Sequence, residues 1–490
     1  MEMKNLLVPS LMAVSGIACA AQQKDKPNVL MIVCDQLRYD CLGYTGSPFA
    51  RTPNIDALAA EGMQFSRAYT SIPTSCPARQ CLLSGAWPEQ PGHEGLWNYD
   101  ITLPVKLFEG DTWTRHLADR GYRLGYVGKW HVHPVKTPLE FGFGDYYGDA
   151  AYHRWAQEHV GKKPKAHYHQ EDNRMMGGYV KMDRDDNSVY WFKEKAVELI
   201  RQYEGEGKPW HVRLDYSEPH LPCMPLKPFF DRFKDTTIPP WGNFCDEFDD
   251  KPYIQYQQVL NWGLEDYDWA KWENYLRSYY AVIAQVDDAL GHLFRQLEEI
   301  GALDNTIIIF TADHGDAAGS HRMLDKHYVM YEEEVHVPLI IKWKDHIQAG
   351  TVCDRFLVHF LDIAATMDDL FSLDFPTSGR SLLPLLRGED VDDWRSYAFS
   401  NYNGQQFGLF VQRMIRDERY KYVWTPTDID ELYDLQEDPY ELKNLIHDPA
   451  YKDVLTRLRK DLYEDLVARK DAAAGAPSAA YRQLIGQKKR

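Results

Sequence analysis

Several polar residues able to do chemistry stand directly behind short apolar runs. Asp35 and Gln36 follow the run at 29–33, Lys129 and His131 follow 123–127, His220 follows 210–214, and Asp313 and His314 follow 306–311. The carboxylate and amide oxygens of the first and last pairs suit a hard cation; each acid taken singly would equally serve a turn or a helix cap. In an extended segment Lys129 and His131 face one side and would aim an ammonium and an imidazole at the same ligand. A snorkelling lysine beside a packed histidine is the plain alternative. A further stretch, Pro73-Thr74-Ser75-Cys76-Pro77-Ala78-Arg79, sets a hydroxyl and a guanidinium four residues apart. Pro77 suits the first turn of a helix, so Ser75 would occupy its positive end with Arg79 on the same face. An N-capping serine and a surface ion-pair arginine would fit the same spacing.

The apolar runs that precede these residues are short and continuous, as buried parallel strands are, and 337–343 is another. Helical patterns lie between them, the clearest being Tyr275, Tyr279, Ile283, Val286, Leu290, Leu293 and Leu297, stopped by Gly301. Strands alternating with helices predict an α/β sandwich around a largely parallel sheet, with ligands beyond the carboxyl ends of the strands. After about residue 385 the texture changes: 397–400, 409–416 and 420–424 read as short antiparallel strands, followed by a charged helix near 450–469. The expected divisions are a leader at 1–20, a core domain at 27–385, a smaller C-terminal subdomain at 386–470 and a loose tail at 471–490.

The chain of 490 residues is 44% hydrophobic and 26% charged, a composition of folded globular proteins. Its net charge of −18 repels polyanions, which argues against a nucleic-acid partner and requires a local basic pocket for any anionic substrate. Aromatic side chains reach 13% and either fill cores or line sugar sites. Residues 6–18 form an apolar run behind Lys4, too short for a transmembrane span but suited to a signal peptide, so the protein is expected to be exported, periplasmic or secreted. Ala18-Cys19-Ala20 fits a cleavage site; Cys19 after Gly16-Ile17-Ala18 also reads as an imperfect lipobox that would leave a lipid anchor. The other seven cysteines include no CxxC spacing, which indicates neither a disulfide framework nor zinc.

The stretch from Ser75 through Arg79 to Gly85 resembles the signature of the type I sulfatases, the formylglycine-dependent branch of the alkaline-phosphatase-like superfamily: Cys or Ser, any residue, Pro, Ser or Ala, Arg, two residues, two apolar residues, a small residue and Gly. The register selects Ser75, two before Pro77 and four before Arg79, and passes over Cys76. The resemblance implies that a maturation enzyme oxidises Ser75 to formylglycine (3-oxoalanine). Asp35 and Gln36 resemble the family's first metal-binding pair, often Asp-Asp, and Asp313 and His314 the second, implying Ca²⁺. Gly128-Lys129-Trp130-His131 and Pro219-His220-Leu221-Pro222 resemble two further family elements, and Lys326 lies twelve residues after His314, as the family's second lysine commonly does. The Leu-Tyr-Asp-Leu lead-in at 432–435 is also typical of sulfatase C-terminal parts.

By that resemblance the fold is an alkaline-phosphatase-like sandwich with a four-stranded C-terminal subdomain, and the reaction is hydrolysis of a sulfate ester. Ca²⁺, Arg79, Lys129 and Lys326 would neutralise the sulfate oxygens. One hydroxyl of the hydrated aldehyde would attack sulfur, His220 would protonate the departing alcohol, and His131 would assist sulfate release. His93 and Trp97, in the loop after the signature helix, and His321, near Lys326, are candidate substrate contacts; ordinary loop histidines are the alternative. Serine-type maturation together with export implies a sulfated mono- or oligosaccharide attacked from one end. The competing readings are a phosphonate or phosphate monoester hydrolase of the same superfamily and an inactive exported glycan-binding protein.

Overall fold

The computed structural model describes residues 26–90, 107–161, 164–326, 329–404, 411–426 and 428–475. The expected leader with Cys19, the loop carrying His93 and Trp97, and most of the tail lie outside the described residues. Eight strands form the main sheet: β1 (Asn28–Asp35), β2 (Met63–Phe65), β3 (Arg123–Gly128), β4 (Asp145–Tyr147), β5 (Trp210–Pro219), β6 (Thr306–Ala312), β7 (Leu339–Trp343) and β8 (Thr351–Cys353). Their spatial order is β8-β2-β7-β6-β1-β5-β3-β4. From β6 to β4 every pairing is parallel, with Val29 opposite both Ile307 and His211. Strand β1 is central, and Val29 to Val33 are wholly buried, which is why the run is apolar without alternation.

The expected strand at 337–343 divides at Pro338. His336–Val337 pairs with Ala68–Tyr69 in a separate small sheet, whereas β7 lies antiparallel to both β6 and β2. Proline has no N–H to give a ladder, and the chain changes sheets there.

Six helices cover the sheet or carry site residues: α1 (Pro53–Glu61), α2 (Ser75–Ser84), α3 (Ser188–Glu206), α4 (Trp269–Glu299), α5 (Phe360–Phe371) and α6 (Lys452–Ala468). The sheet is covered on both faces. Ile307, Ile309 and Ile341 look toward Ile363, Met367 and Leu370 of α5, while the alternate Ile308 looks toward Leu58 of α1 and Phe294 of α4. Helix α4 runs for 31 residues and buries the periodic stripe from Tyr275 to Leu297.

The C-terminal part forms its own antiparallel sheet, β9 (Ala398–Asn403), β10 (Val411–Arg416), β11 (Tyr420–Trp424) and β12 (Glu431–Asp434). Its side chains alternate with a period of two. Ile415, Tyr422 and Leu432 pack with Leu458, Leu462 and Leu466 of α6, whereas Met414, Val423 and Tyr433 join the main core. The sequence pattern brings out three of these four strands; β12, only four residues long, is the fourth.

Candidate active site

Because β1, β3, β5 and β6 run parallel, the residues that follow them emerge at one edge of the sheet. Helix α2 begins at the same edge with Ser75 as its first residue, after extended Thr74. Ser75 Oγ lies 2.8 Å from His314 Nε2 and 3.2 Å from Asp35 Oδ1, and all three residues are buried. His314 Nδ1 donates to the Gly315 carbonyl at 2.8 Å, which leaves Nε2 as the acceptor facing the serine.

Asp35, Asp313 and His314 each offer a ligand atom within 4.8 Å of the others. Gln36 reaches them through its backbone N–H, which donates to Asp313 Oδ1 at 3.1 Å; its side-chain carbonyl accepts from Lys326 Nζ at 2.9 Å, and its amide nitrogen donates to Asp316 Oδ2 at 2.8 Å. Gln36 holds φ +66°, a left-handed turn that sends the chain sharply off the strand end. Two buried carboxylates and one imidazole nitrogen make a donor set that fits a hard divalent cation, and the neighbouring Gln36 adds an amide oxygen of the same chemistry.

Arg79 departs from expectation. Its spacing suggested a cation facing the ligand beside Ser75, but the guanidinium is wholly buried beneath the acids. Nε donates to Asp313 Oδ2 at 2.9 Å, one terminal nitrogen lies 3.2 Å from Asp35 Oδ2, and the other donates to Asp215 Oδ2 at 2.5 Å. Arg79 therefore holds the carboxylates rather than reaching into the cavity. Asp215 was missed by the sequence reading. Arg213 grips it through two hydrogen bonds of 2.8 and 2.9 Å, and Tyr126 donates to it at 2.6 Å. The available signal was a pair of opposite charges two residues apart on one face of the strand, where only mutual pairing makes burial tolerable. Asp316 was missed as well; it accepts from Gln36 and from Tyr275 at 3.0 Å, and burial with nearby Asp325 pushes its carboxyl up to about 6.

Lys129 pairs with Asp35 Oδ2 and is partly exposed. The expected extended run from Lys129 to His131 is absent: β3 ends at Gly128, which takes φ +100°, and His131 takes φ +43°. Both residues are nonetheless half-buried on either side of buried Trp130, and the electrostatic surroundings of His131 include Lys129, Asp35, Arg79 and Lys326. Burial, then Lys129, hold the His131 imidazole well below its ordinary value. Lys326 Nζ donates to His220 Nε2 at 2.6 Å, and His220 Nδ1 donates to the Leu221 carbonyl at 2.7 Å. Burial, then Lys326 and Lys129, push His220 down to about 3, so the ring is neutral and the proton of this pair resides on lysine. Burial opposes the Lys326 charge, but Asp325 and Asp35 raise it above its usual range. Burial likewise works against an ionised Asp35, yet Lys129 and Arg79 hold it well below the carboxylate range.

Beside this cluster opens a cavity of about 310 Å³, lined by Lys129, Glu218, His220 and Met224 among others. His321 does not join it. That ring is fully buried, bonded through Nδ1 to Asp246 Oδ2 at 2.6 Å and stacked on Tyr331 with centroids 3.7 Å apart. It packs as a core histidine, which corrects the expectation of a substrate contact.

Comparison with known proteins bears on the same residues. The family model described as Sulfatase matches residues 27–373, and one described as N-sulphoglucosamine sulphohydrolase, C-terminal, matches 319–468. An arylsulfatase of Clostridium perfringens is 29% identical over 91% of this chain and 95% of its own. An N-acetylglucosamine-6-O-sulfatase of Bacteroides thetaiotaomicron is 29% identical over 95% and 91%. The solved phosphonate monoester hydrolase of Agrobacterium radiobacter superposes with a TM-score of 0.75 at 25% identity, over 91% of this chain and 95% of that one.

Proposed function

The chain belongs to the sulfatase family and is a sulfuric ester hydrolase, and on that basis we propose that it removes sulfate from a sulfated mono- or oligosaccharide through a formylglycine made from Ser75. The observation that carries this reading is the position of Ser75: at the first residue of a buried helix, between His314 and Asp35, where a cation site and two lysines converge. Unmodified serine is a weak nucleophile; a hydrated aldehyde at position 75 supplies one hydroxyl to attack sulfur and a second whose deprotonation releases the product. Oxidation of the side chain removes two hydrogens, which the maturation enzyme must accept.

Asp35, Asp313 and His314, with the Gln36 amide oxygen, would hold Ca²⁺, which when bound supplies positive charge to the sulfate oxygens. Arg79 orients two of these acids. Lys129 and Lys326 approach the sulfate site from two sides and favour the charge that develops on its oxygens. The Lys326 and His220 pair carries the proton for the departing alcohol, and neutral His131 is assigned the proton released from position 75. The carbohydrate assignment draws support from the N-acetylglucosamine-6-O-sulfatase relative and from the aromatic-rich composition. We further read the chain as an exported enzyme with a core at 27–385 and a C-terminal subdomain at 386–470.

The test is the mass of the peptide containing Ser75 from protein made in a host with a serine-type maturation enzyme. Loss of two hydrogens at that residue is expected, together with activity on sulfate esters. Unmodified serine in active protein would refute the nucleophile. The likeness to a phosphonate monoester hydrolase favours one second reading, because tetrahedral phosphorus and sulfur anions present similar oxygens. Turnover of a phosphonate monoester well above that of any sulfate ester would decide for it.

A further inference from the structure

Glu218 is the residue of the active-site cavity for which the chemistry above has no use. It stands at the end of β5, and among the described residues lining the cavity it is the one carboxylate, facing the same space as Lys129 and His220. The hydrogen bond that its Oε1 accepts from Ser188 Oγ is long, 3.4 Å, and its Oε2 is closed to solvent without a hydrogen-bond partner. Burial pushes the carboxyl up to about 7; Asp149 opposes its charge and Lys129 favours it. A buried acid left half-satisfied costs folding free energy, more when charged, and placed in an anion-binding cavity it also repels the sulfate. A residue with those two costs is not a sulfate ligand.

Either protonation state of a carboxyl retains an oxygen that accepts O–H, and the terminal torsion of glutamate is broad enough to turn that oxygen into the cavity. A sulfated sugar brings ring hydroxyls into that space, and an aryl sulfate brings none. We propose that Glu218 is a specificity-determining residue that accepts a hydrogen bond from a hydroxyl of the sugar ring bearing the scissile sulfate. The inference rests on the carbohydrate reading above and extends it, since a site built to bond a hydroxyl discriminates strongly against an analogue that lacks it.

The experiment compares the formylglycine-bearing wild type with Glu218→Met and Glu218→Gln on 4-nitrophenyl sulfate and on the best substrate from a panel of monosulfated hexoses and hexosamines. The ratio of kcat/KM for the sugar sulfate to that for the aryl sulfate should fall roughly 10- to 100-fold in E218M, the loss expected for a hydrogen bond to a charged group. E218Q, which retains an acceptor oxygen, should recover part of that ratio. A deoxy analogue missing the recognised hydroxyl should show the same low ratio with wild type and E218M. An unchanged ratio in E218M, or an equal fall on both substrates, would overturn the proposal while the carbohydrate reading stands. Wild type active on the aryl sulfate and on no sulfated sugar would overturn the carbohydrate reading and this inference with it.

Discussion

His220 donates its Nδ1 proton to a backbone carbonyl and accepts a hydrogen bond at Nε2 from Lys326, so it is both oriented and neutral. The proton available to a leaving oxygen is then the one on Lys326, which the neutral imidazole holds in place without adding charge to a cavity already crowded with cations. His220→Ala should therefore lower kcat on a sugar sulfate by about 10²- to 10⁴-fold, and much less on an aryl sulfate whose phenol leaves readily without protonation. Steady-state rates on the two substrates check this, and an equal loss on both would remove His220 from the proton path. Single residues also explain why Arg79 was misread. Its sequence position was right, but the direction of a long side chain depends on the three acids that surround it.

At the scale of elements, the strand ends and one helix start do the positioning. Lys129 reaches the site because β3 stops at Gly128 and turns. A Cβ on Gly128 would lie 1.9 Å from the Asp215 carbonyl oxygen, and φ there is +100°, so only glycine lets β3 approach β5 this closely. Gly128→Ala should destabilise the fold by about 1–3 kcal/mol, the usual cost of overpacking, and depress activity by displacing Lys129. Urea denaturation alongside rate measurements would test both effects; a stable and fully active variant would show that the strand end can relax. The division of the 337–343 run belongs here too, since one proline separates a strand of the main sheet from a strand of another.

Across the whole molecule, the C-terminal sheet is tied to the core by more than apolar contact. Lys421 of β11 is completely buried, with Nζ 2.8 Å from both Glu332 and Glu441 and donating to the Met330 carbonyl at 2.8 Å. Burial works to discharge this lysine, but Glu332 and Glu441 hold its charge above the usual range. Removing it leaves buried Glu441 without its cation, while Glu332 keeps Arg416. Lys421→Met should cost about 3–5 kcal/mol, the range for breaking a buried pair on one side. Thermal denaturation and limited proteolysis should show earlier loss of the β9–β12 sheet; a variant as stable as wild type would mean that apolar packing alone suffices.

Read alone, the chain already disclosed the α/β class, the parallel strands and the residues at their ends, because buried parallel strands must be continuously apolar and the polar residues beyond them stand out against that background. It also singled out Ser75, which lies beside His314 and Asp35 in the fold, through a motif whose register passes over Cys76. The partnerships, by contrast, come from the tertiary structure. Asp215 and Arg213 sit buried within a strand and acquire meaning when Arg79 arrives from a helix 136 residues away. His321 is near Lys326 in sequence but turns into the core toward Asp246. Glu218 becomes conspicuous only when the residue is seen at the cavity with one carboxylate oxygen unmatched. Local periodicity records which residues are buried; which charge meets which across the fold depends on long-range packing that no short window of sequence contains.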